Sequence, residues 1–153
     1  MKKAIITAAL AIFMLNGYLH SEAASTKVSN PVKIPEVVKR SFAKQYPKTA
    51  KANWSIEKPG EYEAEFTLDK TAMSVLYDRK GTLLETESEI SKSALPKTIQ
   101  RTLANKYVSY KIGEIVVNKE KGVTTYEIEV KKIGKTLELK FDKNGKQLTQ
   151  QKD

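Results

Sequence analysis

The sequence predicts an α+β fold: two tandem α-β-β-β-β units forming one roughly eight-stranded antiparallel sheet with the helices on one face. Three observations predict it. First, the chain repeats itself: the segment from Ile34 to Tyr46 returns 61 positions later as Leu95 to Tyr107. Tyr62-Glu63-Ala64-Glu65-Phe66 then returns as Tyr126-Glu127-Ile128-Glu129-Val130, and Tyr77-Asp78-Arg79-Lys80-Gly81 as Phe141-Asp142-Lys143-Asn144-Gly145, both 64 positions on. Order, residue type and spacing agree apart from a three-residue length difference in the stretch between Trp54 and Tyr62 and its counterpart, as a tandem duplication requires. Second, each copy opens on an apolar period of four. Third, the period then changes to two.

The helix of the first copy carries Ile34, Val38, Phe42 and Tyr46 on one stripe, with Val37 widening it, and the second carries Leu95, Ile99, Leu103 and Tyr107. Pro35 and Pro96 stand near the first turn, where a missing N–H costs little. Pro47 follows Tyr46 and turns the chain out of helical geometry. At this spacing Tyr46 and Tyr107 read as core residues rather than as ligand-stacking aromatics.

Strands follow. Trp54 and Ile56, then Tyr62, Ala64 and Phe66, then Met73, Val75 and Tyr77 point one way in copy one. Ile115 and Val117, Tyr126, Ile128 and Val130, and Leu137, Leu139 and Phe141 do so in copy two. Alternation of this kind belongs to an antiparallel sheet covered on one side only. Tight turns at Asp78–Gly81 and Asp142–Gly145 lead into last strands expected over Thr82–Glu89 and Lys146–Thr149. The Asp-x-x-Gly spacing suits such turns for backbone reasons, and Arg79, Lys80 and Lys143 stand where a calcium loop needs oxygen ligands. Neither copy covers its apolar sheet face well alone, so the two are expected to sit side by side.

Residues 1–23 read as an export signal: Lys2 and Lys3, an apolar run from Ala4 to Leu15 broken only by Thr7, and a small-x-small site at Ser21-Glu22-Ala23. A retained anchor is the alternative, but the run is shorter than the roughly 20 residues a bilayer span needs. The organisation expected is a signal at 1–23, a lead-in at 24–33, repeat one at 34–90, a connector at 91–94 and repeat two at 95–150, with 34–150 forming one domain. Localisation follows as periplasmic or secreted, with no transmembrane span after cleavage.

Composition excludes several chemistries. Cysteine is absent, and the single histidine, His20, leaves with the signal. Ser-His-Asp and Cys-His nucleophile systems cannot be assembled, and zinc loses its preferred ligands. No phosphate-cradling glycine loop or dinucleotide fingerprint occurs in the sequence. A carboxylate pair could still run glycoside hydrolysis, but no lone pair of acids stands out from this sequence, so the reading is non-enzymatic, with no catalytic, cofactor or metal residues.

After cleavage 25 basic and 17 acidic side chains remain, a net charge of +8. Alternation sends Glu63, Glu65, Glu85 and Glu87 to the bare sheet face, with Leu76 and Leu83 as apolar residues among them. The helical side carries Lys39, Arg40, Lys44 and Arg101. Two binding surfaces follow. One is a protein-binding face built on Glu63, Glu65, Leu76, Glu85 and Glu87. The other is an anionic-surface binder, for lipid or polysaccharide, using Lys39, Arg40, Lys44 and Arg101. Charged strand residues are also simply what a solvated face looks like. Nucleic acid is disfavoured in an exported chain without an aromatic-basic recognition motif. The partner expected is an envelope or secreted protein, and the chain is expected to be a monomer.

The duplicated residues resemble the exported PepSY-like, beta-lactamase-inhibitor-like family. The match runs through Leu95-Pro96, Ile99, Leu103, Tyr107, Tyr126–Val130 and Phe141–Lys146, with Trp54 and Tyr77–Gly81 matching in copy one. The resemblance implies a periplasmic or secreted, non-catalytic module with tandem α/β units and an uncovered sheet face. It carries no catalytic residues. In inhibitors of that architecture the sheet face grips an enzyme. This chain departs from the disulfide-stabilised inhibitors in having no cysteine.

Overall fold

The structure is a computed structural model that describes residues 33–49 and 51–152. The expected signal at 1–23, and the lead-in except for Lys33, lie outside the described residues. Helix α1 (Glu36–Gln45) precedes strands β1 (Asn53–Lys58), β2 (Glu61–Leu68), β3 (Thr71–Asp78) and β4 (Leu83–Glu89). A short 3-10 turn (Lys92–Ala94) leads to α2 (Lys97–Lys106), then β5 (Lys111–Glu120), β6 (Val123–Lys132), β7 (Lys135–Asp142) and β8 (Gln147–Lys152). The eight strands form one antiparallel sheet in chain order, β1 to β8.

Pro35 and Pro96 stand immediately before the helices, and each proline's carbonyl accepts from a backbone N–H of the first turn. Tyr46 and Tyr107 close the helices, donating their backbone N–H to Phe42 and Leu103. Val37 is a correction: it is 36% exposed and does not widen the buried stripe. Its carbonyl instead lies against the β3–β4 turn at Gly81.

Register places both helices on one side of the sheet. Ala64 pairs with Val75, Val75 with Thr86, Thr86 with Lys119, Val117 with Tyr126, and Ile128 with Leu139. Directly opposed residues share a face, so the apolar residues under α1 and those under α2 line the same side. The core itself is double. Ile34, Val38 and Phe42 pack on Ala64, Phe66, Val75 and Tyr77. Leu95, Ile99, Leu103 and Tyr107 pack on Ile115, Ile128, Val130, Leu137, Leu139 and Phe141. Each helix thus covers its own copy, contrary to the expectation that neither copy does so well. What joins the copies is the β4–β5 ladder.

Both Asp-x-x-Gly turns are built alike. The Asp78 carboxylate accepts from the backbone N–H of Lys80 and Thr82 at 2.8 and 2.9 Å. Asp142 accepts from Asn144 and Lys146, both at 2.9 Å. Those backbone bonds hold Asp78 below the usual carboxylate range, the bond from Thr82 being the main cause. After each turn the ladder slips by one residue. Leu76 pairs with Glu85 but Tyr77 with Leu83, and Lys140 pairs with Thr149 but Phe141 with Gln147. A bulge at Leu84 and another at Leu148 therefore reverse the alternation. Leu83 opposes helix-side Tyr77 and does not belong to the bare face, which corrects the expectation. Three strand bounds also differ: β4 begins at Leu83 instead of Thr82, and β8 begins at Gln147 instead of Lys146 and runs on to Lys152 instead of ending at Thr149. The extra residues of copy two lengthen the β5–β6 hairpin, whose strands have 10 residues each, against 6 and 8 in β1 and β2.

Candidate functional site

The face opposite the helices is built in rows. One row runs Ser55, Glu63, Leu76, Glu85, Glu120 across β1 to β5. The adjacent row runs Asn53, Glu65, Ser74, Glu87, Asn118, Thr125 across β1 to β6. All five residues singled out from the sequence, Glu63, Glu65, Leu76, Glu85 and Glu87, therefore stand in two neighbouring rows on three adjacent strands.

The middle of this face is not the solvated surface that alternation suggests. Ser74, Glu87 and Asn118 are 4%, 9% and 7% exposed, and Val116 is 8% exposed in the next row. They lie on β3, β4 and β5, the middle strands of the sheet. Polar groups at that depth need partners. Ser74 Oγ donates to Glu63 Oε1 at 2.6 Å, and Ser55 Oγ donates to Glu63 Oε2 at 3.1 Å. Asn118 Nδ2 donates to Glu87 Oε1 at 3.0 Å and to Glu85 Oε1.

These bonds leave an excess of negative charge. Burial, with Glu85 and Glu127 nearby, pushes the Glu87 carboxyl up to about 7, while the Asn118 amide opposes the shift. Glu85 is raised by burial against the pull of the same amide. Glu65 is raised by burial and then by Glu63. The acidity continues into copy two. Glu129 opposes Glu138, Glu127 opposes Lys140 and pairs with it at 2.6 Å, and Lys131 reaches Glu129 at 2.9 Å. Glu114, not singled out in the sequence, sits at the β5 bulge with one buried oxygen lacking a hydrogen bond. Burial raises its carboxyl, and Glu89, Glu129 and Glu138 add to the rise. Among the described residues, no group of three or more His, Cys, Asp or Glu side chains is arranged to hold a metal ion. What the arrangement offers is a patch of carboxylates on a partly dehydrated sheet. Such a patch favours ammonium and guanidinium groups and can accept the latter in paired hydrogen bonds.

The family model described as "Putative beta-lactamase-inhibitor-like, PepSY-like" matches residues 19–85 and again residues 60–149. The chain belongs to this PepSY-like family. The fold agrees with solved structures. One described as "putative periplasmic proteins" from Bacteroides eggerthii is 18% identical with a TM-score of 0.72, covering 78% of this chain and 89% of that one. A BLIP-like protein from Bacteroides fragilis is 22% identical with a TM-score of 0.66, covering 79% and 87%. A protein from Bacteroides ovatus is 21% identical with a TM-score of 0.69, covering 78% and 88%. Among curated proteins no relative matches.

The other candidate residues of this PepSY-like protein are more scattered. Lys39, Arg40 and Lys44 are exposed on α1, and Arg101 is exposed on α2. The Lys39 ammonium is engaged by Glu36 at 2.9 Å. The two rows cross the seam between the copies, with Glu85 opposite Glu120 and Glu87 opposite Asn118, whereas these cations divide between two helices with separate cores.

Proposed function

We propose that this PepSY-like protein is an exported, periplasmic or secreted, non-enzymatic binding module that docks a basic protein surface on its uncovered sheet face. The observation that carries the reading is the packing of Glu63, Glu65, Glu85 and Glu87 around Leu76 in two adjacent rows. Clustering like charges in a half-buried site costs stability, which a face serving only solubility has no reason to bear. A cationic partner relieves that repulsion on binding, so charge selects the partner and speeds encounter while Leu76 supplies apolar contact. Membership of a family described as beta-lactamase-inhibitor-like supports a binding role. Likeness in fold to a protein described as periplasmic supports export, together with the signal read at 1–23.

The test is capture of envelope proteins on the immobilised protein beside a Glu63→Lys/Glu65→Lys double variant. The reading expects a specific partner that the double variant loses and that raised salt weakens. Capture unchanged by the double reversal overturns it. Loss on Lys39→Gln/Arg40→Gln instead assigns binding to the helical side.

A further inference from the structure

The duplication supplies an internal control, and the copies differ in residue type at one end of the sheet. In copy one the β2–β3 hairpin turns through Leu68-Asp69-Lys70-Thr71; in copy two the matching β6–β7 hairpin turns through Lys132-Ile133-Gly134-Lys135. Asp is an ordinary turn residue and isoleucine is not. Ile133 is nevertheless fully exposed, at 104%. The segment after each helix diverges as well: Pro47-Lys48-Thr49 in copy one becomes Val108-Ser109-Tyr110 in copy two. Val108 is 81% exposed.

A single exposed apolar side chain needs no explanation. Here two are gathered by the fold. Lys111 pairs with Lys131 and Lys132 with Lys135, which brings the start of β5, the end of α2 and the β6–β7 tip to one end of the sheet. Lys132 reaches over the Tyr110 ring, 4.7 Å from its centroid, tying the tip to the loop that carries Val108. The Tyr110 ring in turn packs edge-on against Tyr107, 5.7 Å between centroids. Lys106, Lys111, Lys132 and Lys135 flank the two apolar side chains in sequence, and no Asp or Glu occurs at 104–113 or 130–137, the nearest being Glu114, Glu129 and Glu138 of the uncovered face. Apolar tips within a collar of lysines suit the boundary of an anionic bilayer, where the apolar group enters the acyl edge and the ammonium groups stay at the phosphates.

We infer that this end of the sheet, with Ile133 and Val108 at its tip and Lys106, Lys111, Lys132 and Lys135 around them, seats the protein peripherally on an anionic phospholipid surface. Strand ends lie at right angles to the sheet faces. A protein seated this way keeps the Glu63–Glu87 face free for its partner and turns it away from lipid phosphate. The inference rests on different residues from the proposed protein-binding face and stands or falls separately.

The experiment is co-sedimentation of the purified protein with vesicles of phosphatidylcholine alone and of an equal mixture with phosphatidylglycerol. Retention is expected on the mixed vesicles only, falling steeply with added salt. An Ile133→Asp/Val108→Asp double variant should bind about tenfold more weakly, both substitutions being at exposed loop positions that leave the core intact. An Ile133→Trp variant should show blue-shifted emission from the added indole on mixed vesicles, a readout of insertion that charge attraction alone does not give. Retention of the double variant equal to that of the parent protein, no emission shift, or no retention at low salt each overturns the inference. Partner capture by the sheet face is measured without vesicles, so a failure of either proposal is read separately.

Discussion

Asn118, in the first strand of the second copy, donates its amide to Glu87 in the last strand of the first copy at 3.0 Å. The bond crosses the seam where the duplicated halves meet, and the same nitrogen serves Glu85. In a site this short of donors, one amide holds two carboxylates together. Asn118→Ala should destabilise the protein by about 1–3 kcal/mol, because buried acceptors lose their donor. Urea unfolding measures this, and an unchanged midpoint would show that the amide is dispensable.

The same cluster sets a pH dependence. Glu87 has a folded-state pKa of about 7 against 4.5 when free, so the folded protein holds its proton more tightly than the unfolded chain. A raised carboxyl contributes stability that is complete below the unfolded value and is lost as pH climbs through the folded one. Glu65, Glu85 and Glu114 shift in the same direction. The protein should therefore be more stable near pH 5 than near pH 8, by on the order of 2 kcal/mol for Glu87 once partial screening by water at the face is allowed for. Glu87→Gln should flatten most of this slope in melts across the range. A slope that survives the substitution would remove Glu87 as its source.

Gly81 and Gly145 close equivalent turns with φ of +80° and +88°. A Cβ at Gly81 would lie 2.5 Å from Ser41 Oγ and 3.0 Å from the Val37 carbonyl, and one at Gly145 would strike Thr98. Each turn is thus docked on the helix of its own copy. Gly81→Ala and Gly145→Ala should each cost about 1–3 kcal/mol from backbone strain and the helix contact. Because the two sites share no partners, the double variant should lose the sum of the two, within about 0.5 kcal/mol. Calorimetry on the three variants decides this.

Tyr107 is buried at the end of α2, and its hydroxyl donates to Gln150 Oε1 at 2.9 Å. Gln147 also reaches that hydroxyl, at 3.0 Å from its amide nitrogen. Tyr107→Phe should cost about 1 kcal/mol, the net worth of a hydrogen bond. Leu139→Ala, beneath the same helix and fully buried, should cost about 2–5 kcal/mol. Comparable losses for both substitutions in chemical denaturation would contradict the packing described for the second core.

The helices and most strands were legible because their apolar periods are strict. Ile34, Val38 and Phe42 on the helix, and Ala64, Phe66, Val75 and Tyr77 on the strands, are buried as their spacing predicts. What alternation could not reveal was a change of parity. The bulges at Leu84, at Leu148 and around Gly113-Glu114 each insert one residue, those at Leu84 and Leu148 without any break in composition, and the bulge at Leu84 moved Leu83 off the acidic face. Depth on the uncovered face was also hidden. Asn118 reads as an ordinary outward polar residue until its neighbours are known to be Glu85 and Glu87 of the other copy, a contact that depends on pairing β4 with β5. Gly113 is the one sequence signal of the β5 irregularity: a Cβ there would collide with the Glu129 carboxylate, which folds over it.

Docking of a protein on the uncovered face is tested most directly by a photo-crosslinking amino acid placed at Leu76, amid the four glutamates, with a control at exposed Arg101 on α2. Irradiation in cells should give one discrete adduct from position 76 that disappears when Glu63 and Glu65 are also reversed, and none of that mass from position 101. An adduct from position 101 alone, or one from position 76 indifferent to the charge reversal, would contradict it.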